Sequence, residues 1–119
     1  MVSFRLEFVR EPLARADLAT IADRGFGDMI KAVVDVERGI LAIGAELHED
    51  EEAALLDDGS RQRDLWGINL YPDDTGDTWI EFDSMINVRP GQGNRSRGVD
   101  DEALRSALRR VVGALMRDA

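Results

Sequence analysis

The chain has 119 residues, a length at which a single domain can bury one hydrophobic core. Apolar residues make up 44% of it and charged residues 33%, a balance typical of globular proteins and not of disordered chains. The absence of cysteine excludes disulfides, thiolate zinc sites and cysteine nucleophiles. The net charge of −9 argues against a general nucleic-acid surface, and the chain lacks both a membrane-length apolar run and a signal-peptide core. These features predict a cytoplasmic protein without a membrane partner.

A strand and a helix are predicted at the start of the chain. The segment SFRLEFV (3–9) alternates in polarity, with Phe4, Leu6 and Phe8 on the face that we expect to enter the core. Pro12 ends this strand. A helix is predicted over residues 15–24, and its buried stripe comprises Leu18, Ile21 and Ala22.

The segment MIKAVVDVERGILAIGAELH (29–48) predicts a β-hairpin with Arg38-Gly39 at its tip. Pairing Val36 with Leu41 and Val34 with Ile43 gathers the apolar residues on one face, whereas a one-residue slip would mix the two faces. HEDEEAALLDDGS (48–60) then predicts a short acidic helix that ends at Gly59. Asp57 and Asp58 lie at its negative end, so we expect Arg61 or Arg63 to neutralise them.

A second β unit is predicted from WGINLYP and TWIEFDSMINVRP, joined by a turn-rich linker. Pairing Leu70 with Ile80 and Ile68 with Phe82 places these residues on the core face. The opposite face then pairs Tyr71 with Trp79, Asn69 with Glu81 and Gly67 with Asp83. We expect this strand to continue to Arg89 and to end at Pro90. The last helix is predicted over residues 101–117, capped by Asp100.

Together these elements predict an α+β fold for residues 1–119 as a single domain: a mainly antiparallel sheet of about five strands with helices packed on one face, in two layers. The first and last helices are expected to cover the apolar face. The opposite face, called here the polar face, carries Asp35, Glu46, His48, Asn69, Glu81, Asp83, Asn87 and Arg89. We expect function to reside there.

Three long segments of the chain, FGDMIKAVVDVERGILAIGAELH, DLWGINLYP and WIEFDSMINVRPGQGNRSRGV, resemble a family of small prokaryotic proteins catalogued only as a domain of unknown function. The resemblance extends from the first strand to the last helix. It implies a complete, free-standing prokaryotic domain. It implies no activity, cofactor or catalytic residue.

Candidate catalytic residues on the polar face are His48, Glu46 and Asp83. His48 is the only histidine and follows Glu46 by two residues, so in a strand the two side chains share a face. We expect His48 to act as a general acid or base, oriented by Glu46 or Asp83. The alternative is a structural histidine that a carboxylate holds at the start of the following helix. One histidine among scattered carboxylates is a weak metal signature, so no metal site is predicted.

Candidate ligand-binding residues surround the 90–98 loop. Guanidinium groups suit phosphate or carboxylate, and the glycines of PGQGNRSRG allow a close backbone approach. The predicted ligand-binding residues are Arg89, Asn94, Arg95 and Arg97, with Asn69 and Glu81 on the sheet. In the alternative interpretation, these arginines pair with the acids of the polar face and fix the loop over it.

Two functions are therefore predicted side by side. The first is binding, with or without processing, of an anionic or phosphorylated small molecule on the polar face. The second is a non-catalytic homodimer or partner-binding module that uses the same face, with Trp79 and Tyr71 near its centre. Nucleic-acid contact through the arginine loop is a weaker possibility because the chain is acidic. The sequence identifies no cofactor and does not decide whether the protein is an enzyme.

Overall fold

The structure is a computed structural model that describes residues 1–117. Its strands are β1 (Glu7–Val9), β2 (Leu13–Ala14), β3 (Ile30–Asp35), β4 (Ile40–Ile43), β5 (Leu65–Leu70), β6 (Ile80–Glu81) and β7 (Met116–Arg117). Its helices are α1 (Arg15–Arg24), α2 (His48–Asp57) and α3 (Glu102–Leu115). The predicted bounds of the first helix are confirmed, and α3 is shorter than predicted because the chain turns into β7.

Five of the strands form an antiparallel sheet in the order β1-β4-β3-β5-β6. The two remaining strands, β2 and β7, pair in parallel and join the start of α1 to the end of α3. Three helices with an antiparallel sheet of five strands make an α+β fold, as the sequence predicted. In residues 1–117, no helix combines the length and apolar character needed to cross a membrane.

The main core lies between the sheet and the helices α1 and α3, as predicted. Alternate residues of β3 point to this side, among them Ala32 and Val34, because side chains alternate along a strand. From the helices come Leu18 and Ala22 of α1 and Leu108, Val112 and Leu115 of α3. Removing this much apolar surface from water is the dominant stabilising contribution to the fold.

Helix α2 lies on the opposite face of the sheet, a placement that the sequence prediction did not include. Leu55 of α2 packs there in a smaller apolar cluster with Val33 and Ala42. The cause is visible in β3, where Val33 and Val34 are adjacent and therefore give the strand an apolar residue on each face. The polar face is thus partly covered, and its open part lies towards Lys31 and Glu81.

The register of the β3–β4 hairpin differs from the prediction by two residues. Val34, and not Val36, lies opposite Leu41. Because side chains alternate with a period of two, this shift leaves the apolar residues on the predicted face. The longer loop has a local cause: Asp35 Oδ1 accepts hydrogen bonds from the backbone N–H groups of Glu37 and Arg38, at 3.0 and 2.8 Å. Gly39 then takes a positive φ of 69°.

The register of the second β unit is confirmed, since Asn69 lies opposite Glu81 and Leu70 opposite Ile80. The predicted continuation of that strand to Arg89 is wrong. The chain leaves the sheet because the hydroxyl of Ser84 accepts a hydrogen bond from the N–H of Ile86 and starts a 3₁₀ turn.

Three further predictions need correction. Phe8 was expected in the core, but it is 37% exposed and its neighbour Val9 is buried opposite Leu41. Only Glu7–Val9 pair with β4. The polar and apolar alternation from residue 3 onwards therefore extends beyond the strand and does not determine which face enters the core.

The end of α2 is neutralised by different arginines from those predicted. Asp58 bonds to Arg10 and Arg38, at 2.8 and 2.7 Å, because it lies beside the hairpin tip. The helix cap of α3 also moves by one residue: Asp101, and not Asp100, accepts the N–H of Ala103.

Candidate functional site

The open part of the polar face is a row of side chains across three strands. Lys31 of β3 lies opposite Asn69 of β5, which in turn lies opposite Glu81 of β6. The amide nitrogen of Asn69 donates to Glu81 Oε1 at 2.9 Å and to the carbonyl of Asp83 at 3.3 Å. The hydroxyl of Tyr71 donates to the same Glu81 oxygen at 3.2 Å. The structure therefore brings together Asn69, Glu81 and Asp83.

His48 lies at the edge of this row as the first residue of α2. It is only 5% exposed, and its Nε2 is 2.8 Å from the carbonyl of Ile68. Because a carbonyl only accepts, Nε2 carries the proton in the neutral ring. Burial lowers the pKa of His48, which favours that neutral form. Glu46 is exposed, and within residues 1–117 no hydrogen bond joins it to His48.

Glu51 is a buried ionisable group that the sequence analysis did not single out. Its side chain is fully buried, and Oε2 accepts the N–H of Ala45 at 3.0 Å. Burial raises the pKa of Glu51 well above its ordinary value of 4.5, so the neutral carboxyl is favoured. A signal for it was present in the sequence, since His48, Glu51 and Leu55 are spaced as one face of a helix.

Two side-chain oxygens on this face are buried without a hydrogen-bond partner in the described part of the chain, Glu51 Oε1 and Asn69 Oδ1. Leaving such a group unsatisfied costs about 1–3 kcal/mol. Most buried polar groups in proteins are paired, and perturbed ionisable groups concentrate at functional sites. His48, Glu51 and Asn69, all buried on this face, are therefore candidate site residues.

Arg89 is held by the protein itself. Its guanidinium donates to the carbonyls of Ile86, Gln62 and Leu65 and forms an ion pair with Glu52 at 3.5 Å. The same group lies over the Trp66 ring, with the guanidinium carbon 4.7 Å from the ring centre. These contacts direct the predicted anion-binding donors of Arg89 towards internal acceptors.

The 90–98 loop is also fixed by internal bonds. The side-chain amide of Asn94 donates to the carbonyls of Asn87 and Gly98, each at 2.8 Å, and accepts the N–H of Asp100 at 2.8 Å. Arg97 pairs with Asp83 at 2.8 Å, one of the pairings considered in the alternative interpretation. Arg95 is exposed, and its backbone N–H donates to Asp100.

The aromatic pair proposed for the polar face is divided. Trp79 packs against the main core, beneath the guanidinium of Arg15, whose carbon lies 4.1 Å from the ring centre. The Tyr71 hydroxyl remains beside Glu81 on the polar face. The predicted Trp79–Tyr71 surface is therefore not formed, because the chain enters a 3₁₀ turn at Gly76–Trp79 before the short strand β6.

A groove between β1 and α1, called here the β1–α1 groove, is a second candidate site. Its cavity measures about 570 Å³. Its apolar lining comprises Val9, Leu13, Ile21 and Ile43, and α1 contributes the exposed side chains of Asp17, Thr20 and Arg24. No sequence pattern indicates this groove, because its presence depends on the distance between α1 and the sheet edge.

Metal binding has no evident site among residues 1–117, since no three or more His, Asp or Glu side chains are grouped to hold an ion.

Comparison with known proteins identifies the family of this chain and nothing more specific. No curated protein and no solved structure matches the chain. The family model described as "Protein of unknown function (DUF5674)" matches residues 7–115. The chain therefore belongs to the DUF5674 family of proteins of unknown function.

Proposed function

We propose that this protein is a non-catalytic binding module that takes an extended segment of a protein partner in the β1–α1 groove. The observation that carries the proposal is an open groove beside an edge strand. Strand β1 pairs with β4 on one side and is the end strand of the sheet. An edge strand offers unpaired N–H and C=O groups, to which an extended segment can add as a further strand.

The lining of the groove suits such a segment. A volume of about 570 Å³ lies within the range of protein binding sites, which is about 300–1,000 Å³. Phe8 of β1, Leu13 of β2 and Ile21 of α1, which are exposed or partly exposed, provide apolar surface in the groove for the side chains of such a segment. Asp17 and Arg24 lie at the rim and carry opposite charges. They are seven residues apart, so they lie on the same face of α1 near its two ends.

The contacts on the polar face also favour a binding module over an enzyme. Arg89 and Asn94 use their donors on the protein's own carbonyls, and Arg97 pairs with Asp83. Three of the four loop residues predicted to hold an anion, Arg89, Asn94 and Arg97, thus have internal partners. This pairing agrees with the alternative interpretation of the arginines, in which they bond within the protein and fix the loop.

A peptide selection tests the proposal. A random heptapeptide library is selected against dilute immobilised protein, and an enriched peptide is titrated while backbone amide shifts are recorded by NMR. We expect shifts at Glu7–Val9 and in the part of α1 near Thr20. Thr20→Arg should weaken the peptide by about ten-fold, because a bulky charge would occupy the groove.

Ser106→Arg is the matched control, since Ser106 is an exposed small residue of α3 outside the groove. It should leave peptide affinity unchanged. If no peptide is enriched, or if the shifts fall on the polar face and leave β1 unaffected, the proposed function is wrong.

A small-molecule site on the polar face is a second candidate function, favoured by the two buried oxygens without a partner, Glu51 Oε1 and Asn69 Oδ1. The amide oxygen Asn69 Oδ1 only accepts and so calls for a ligand with a hydrogen-bond donor, whereas the neutral Glu51 carboxyl can also donate. An anionic or phosphorylated ligand would instead depend on Lys31 and Arg95. Titration with inorganic phosphate and with methylammonium distinguishes these chemistries, through saturable shifts at His48 and Asn69 with one probe and not the other.

The proposal also includes the predicted location and source of the protein. A cytoplasmic location and a prokaryotic source follow from composition and from the family resemblance. Nucleic-acid contact remains the weakest of the predicted functions, because the net charge is −9 and Arg89 and Arg97 have internal partners.

A further inference from the structure

The segment around strand β1 (Glu7–Val9) carries charges that would meet opposite charges if the segment paired antiparallel with its own copy. Arg5 and Glu11 lie two residues beyond the two ends of β1, three positions before and three positions after Phe8, and all three side chains are exposed. In a two-fold antiparallel pair centred on Phe8, Phe8 faces its own copy and each Arg5 faces Glu11 of the other copy. Opposite charges at facing positions stabilise a strand pair.

The two neighbouring registers lack this complementarity. Centring the pair on Glu7 places two glutamates opposite each other. Centring it on Val9 places Glu7 opposite Glu11 twice. Like charges directly opposite are destabilising, so among registers centred on a residue of β1 the sequence favours Phe8.

Helix α1 repeats the pattern on the other side of the groove. Asp17 and Arg24 lie near opposite ends of the helix, on the groove side, and both are exposed. In an antiparallel pair of α1 helices centred between Thr20 and Ile21, Asp17 of each copy faces Arg24 of the other. The macrodipole already favours this placement of charges in a single helix, but it does not account for Arg5 and Glu11.

We propose that the partner in the β1–α1 groove is a second copy of this chain, related by a two-fold axis that passes beside Phe8. This inference rests on the proposed function and names its partner. Pairing the two β1 strands joins the sheets of both copies. It also covers Phe8, which is 37% exposed on an edge strand and lies 4.9 Å beneath the guanidinium of Arg10. Because β1 has only three residues, the dimer is expected to be weak, with a Kd of about 1–100 μM.

Charge exchange tests the inference on the full chain. Sedimentation equilibrium gives the dimer Kd of the unaltered protein and of Arg5→Glu, Glu11→Arg and the double variant that carries both changes. Each single change places like charges opposite each other twice, and should weaken the dimer about ten-fold. The double variant restores opposite charges and should return the Kd to within about two-fold of the original.

Arg110→Glu is the matched control for Arg5→Glu. Arg110 is exposed on α3 outside the groove, and both substitutions change the net charge by the same amount. It should leave the Kd unaltered. Asp17→Arg combined with Arg24→Asp repeats the exchange on α1, and the combined variant should again associate more tightly than either single variant.

Two results would overturn the inference. One is a protein that stays monomeric up to about 1 mM, far above the expected Kd. The other is a dimer whose Kd does not respond to Arg5→Glu or Glu11→Arg. The peptide selection remains a separate test, because it uses dilute protein and reads recognition in the groove. A monomer that still binds peptides at β1 would therefore overturn the self-association alone.

Discussion

Glu51 is a carboxyl group whose burial in the fold favours the neutral form. Its burial raises its pKa above the ordinary value of 4.5, and the single hydrogen bond from the N–H of Ala45 acts in the opposite direction. Nearby Lys31 also favours the charged form, whereas Asp50 favours the neutral form. Burial outweighs the favourable contacts, so stability should depend on the protonation of this one residue.

We predict that Glu51→Gln removes a pH dependence of folding. A group whose pKa is raised in the folded protein stabilises it fully below the unfolded value and loses this contribution as the pH rises through the folded pKa. The original protein should therefore lose stability above pH 4.5 and the variant should not. The unfolding free energy of the variant minus that of the original protein should increase by up to about 1.4 kcal/mol per pH unit.

Urea unfolding between pH 4 and pH 8 checks this prediction. His48 acts with the opposite sign, because its pKa is lowered: its contribution is present above 6.5 and is lost as the pH falls through the folded pKa. His48 is retained in both proteins, so its contribution cancels in the difference. A difference that is constant with pH would show that Glu51 is not held neutral.

Helical spacing contains a signal for the burial of some of these residues, although the sequence analysis did not use it. His48, Glu51 and Leu55 fall on one helix face, so their burial could be read from the sequence once that face was known to meet the sheet. The hydrogen bond from His48 to Ile68 and the unpartnered oxygen of Glu51 could not, because they depend on the distance between α2 and the sheet.

At the scale of elements, the strand register of the β3–β4 hairpin could be predicted from the sequence only in part. Its apolar face was predicted correctly because the period of two allows only two choices. Its loop length was not, because the deciding interaction is the Asp35 carboxylate on the N–H groups of Glu37 and Arg38. The same carboxylate accepts the hydroxyl of Ser60 at 2.6 Å, which ties the hairpin to the end of α2.

We predict that Asp35→Ala destabilises the protein by about 2–3 kcal/mol, because the buried Ser60 hydroxyl and the part-buried N–H groups of Glu37 and Arg38 lose their shared acceptor. Asp35→Asn is the matched control. Its side-chain oxygen can still accept from Glu37 and Arg38, and its amide can donate to Ser60, so we expect a loss below about 1 kcal/mol. Urea unfolding measures both. Equal losses for the two variants would show that the loop does not depend on these hydrogen bonds.

The positions of helices and strands were easier to predict than their ends. The register that places Asn69 opposite Glu81 followed from matching apolar residues on neighbouring strands. The early end of that strand did not, because Ser84 and Asn87 replace strand pairing by side-chain hydrogen bonds. Propensity favours a strand through Val88, and tertiary contacts override it.

At the scale of the whole molecule, the α+β class follows from the order of periodic segments, while the layer on the second face does not. Placing α2 requires recognising that Val33, Ala42 and Leu65 form an apolar patch among polar neighbours. The β1–α1 groove was not predicted for a related reason, since a cavity is the space between elements and not a property of any one of them.

Asn87 closes one side of the sheet. Its side-chain oxygen accepts the N–H of Gly67 at 2.8 Å, and its amide donates to the carbonyl of the same residue at 3.0 Å. This is the pair of bonds that a neighbouring strand would make. We predict that Asn87→Ala lowers the free energy of unfolding by about 2–4 kcal/mol, because two backbone groups and the carbonyl of Arg97 lose a buried partner.

The same substitution should also make the protein aggregate. With Gly67 unpaired, β5 becomes a second strand edge that can pair with another chain. Light scattering at a fixed concentration, below the unfolding temperature, measures this. Gln92→Ala is the control, because it removes one exposed side-chain bond to the carbonyl of Arg63 and leaves β5 closed. Equal scattering from the two variants would contradict the prediction.

The two sides of the sheet thus differ in what they allow a neighbouring molecule to do. Along β5, the side chains of Asn87 and Arg89 occupy the positions of a further strand, and β6 adds only two residues beyond them. Chains with two exposed edges can stack without limit, as fibrils do. A two-fold pair through β1 uses the same edge of both molecules, so the reaction ends at the dimer. By occupying the edge of β5 beside Gly67, Asn87 removes one place at which a further molecule could add to that dimer.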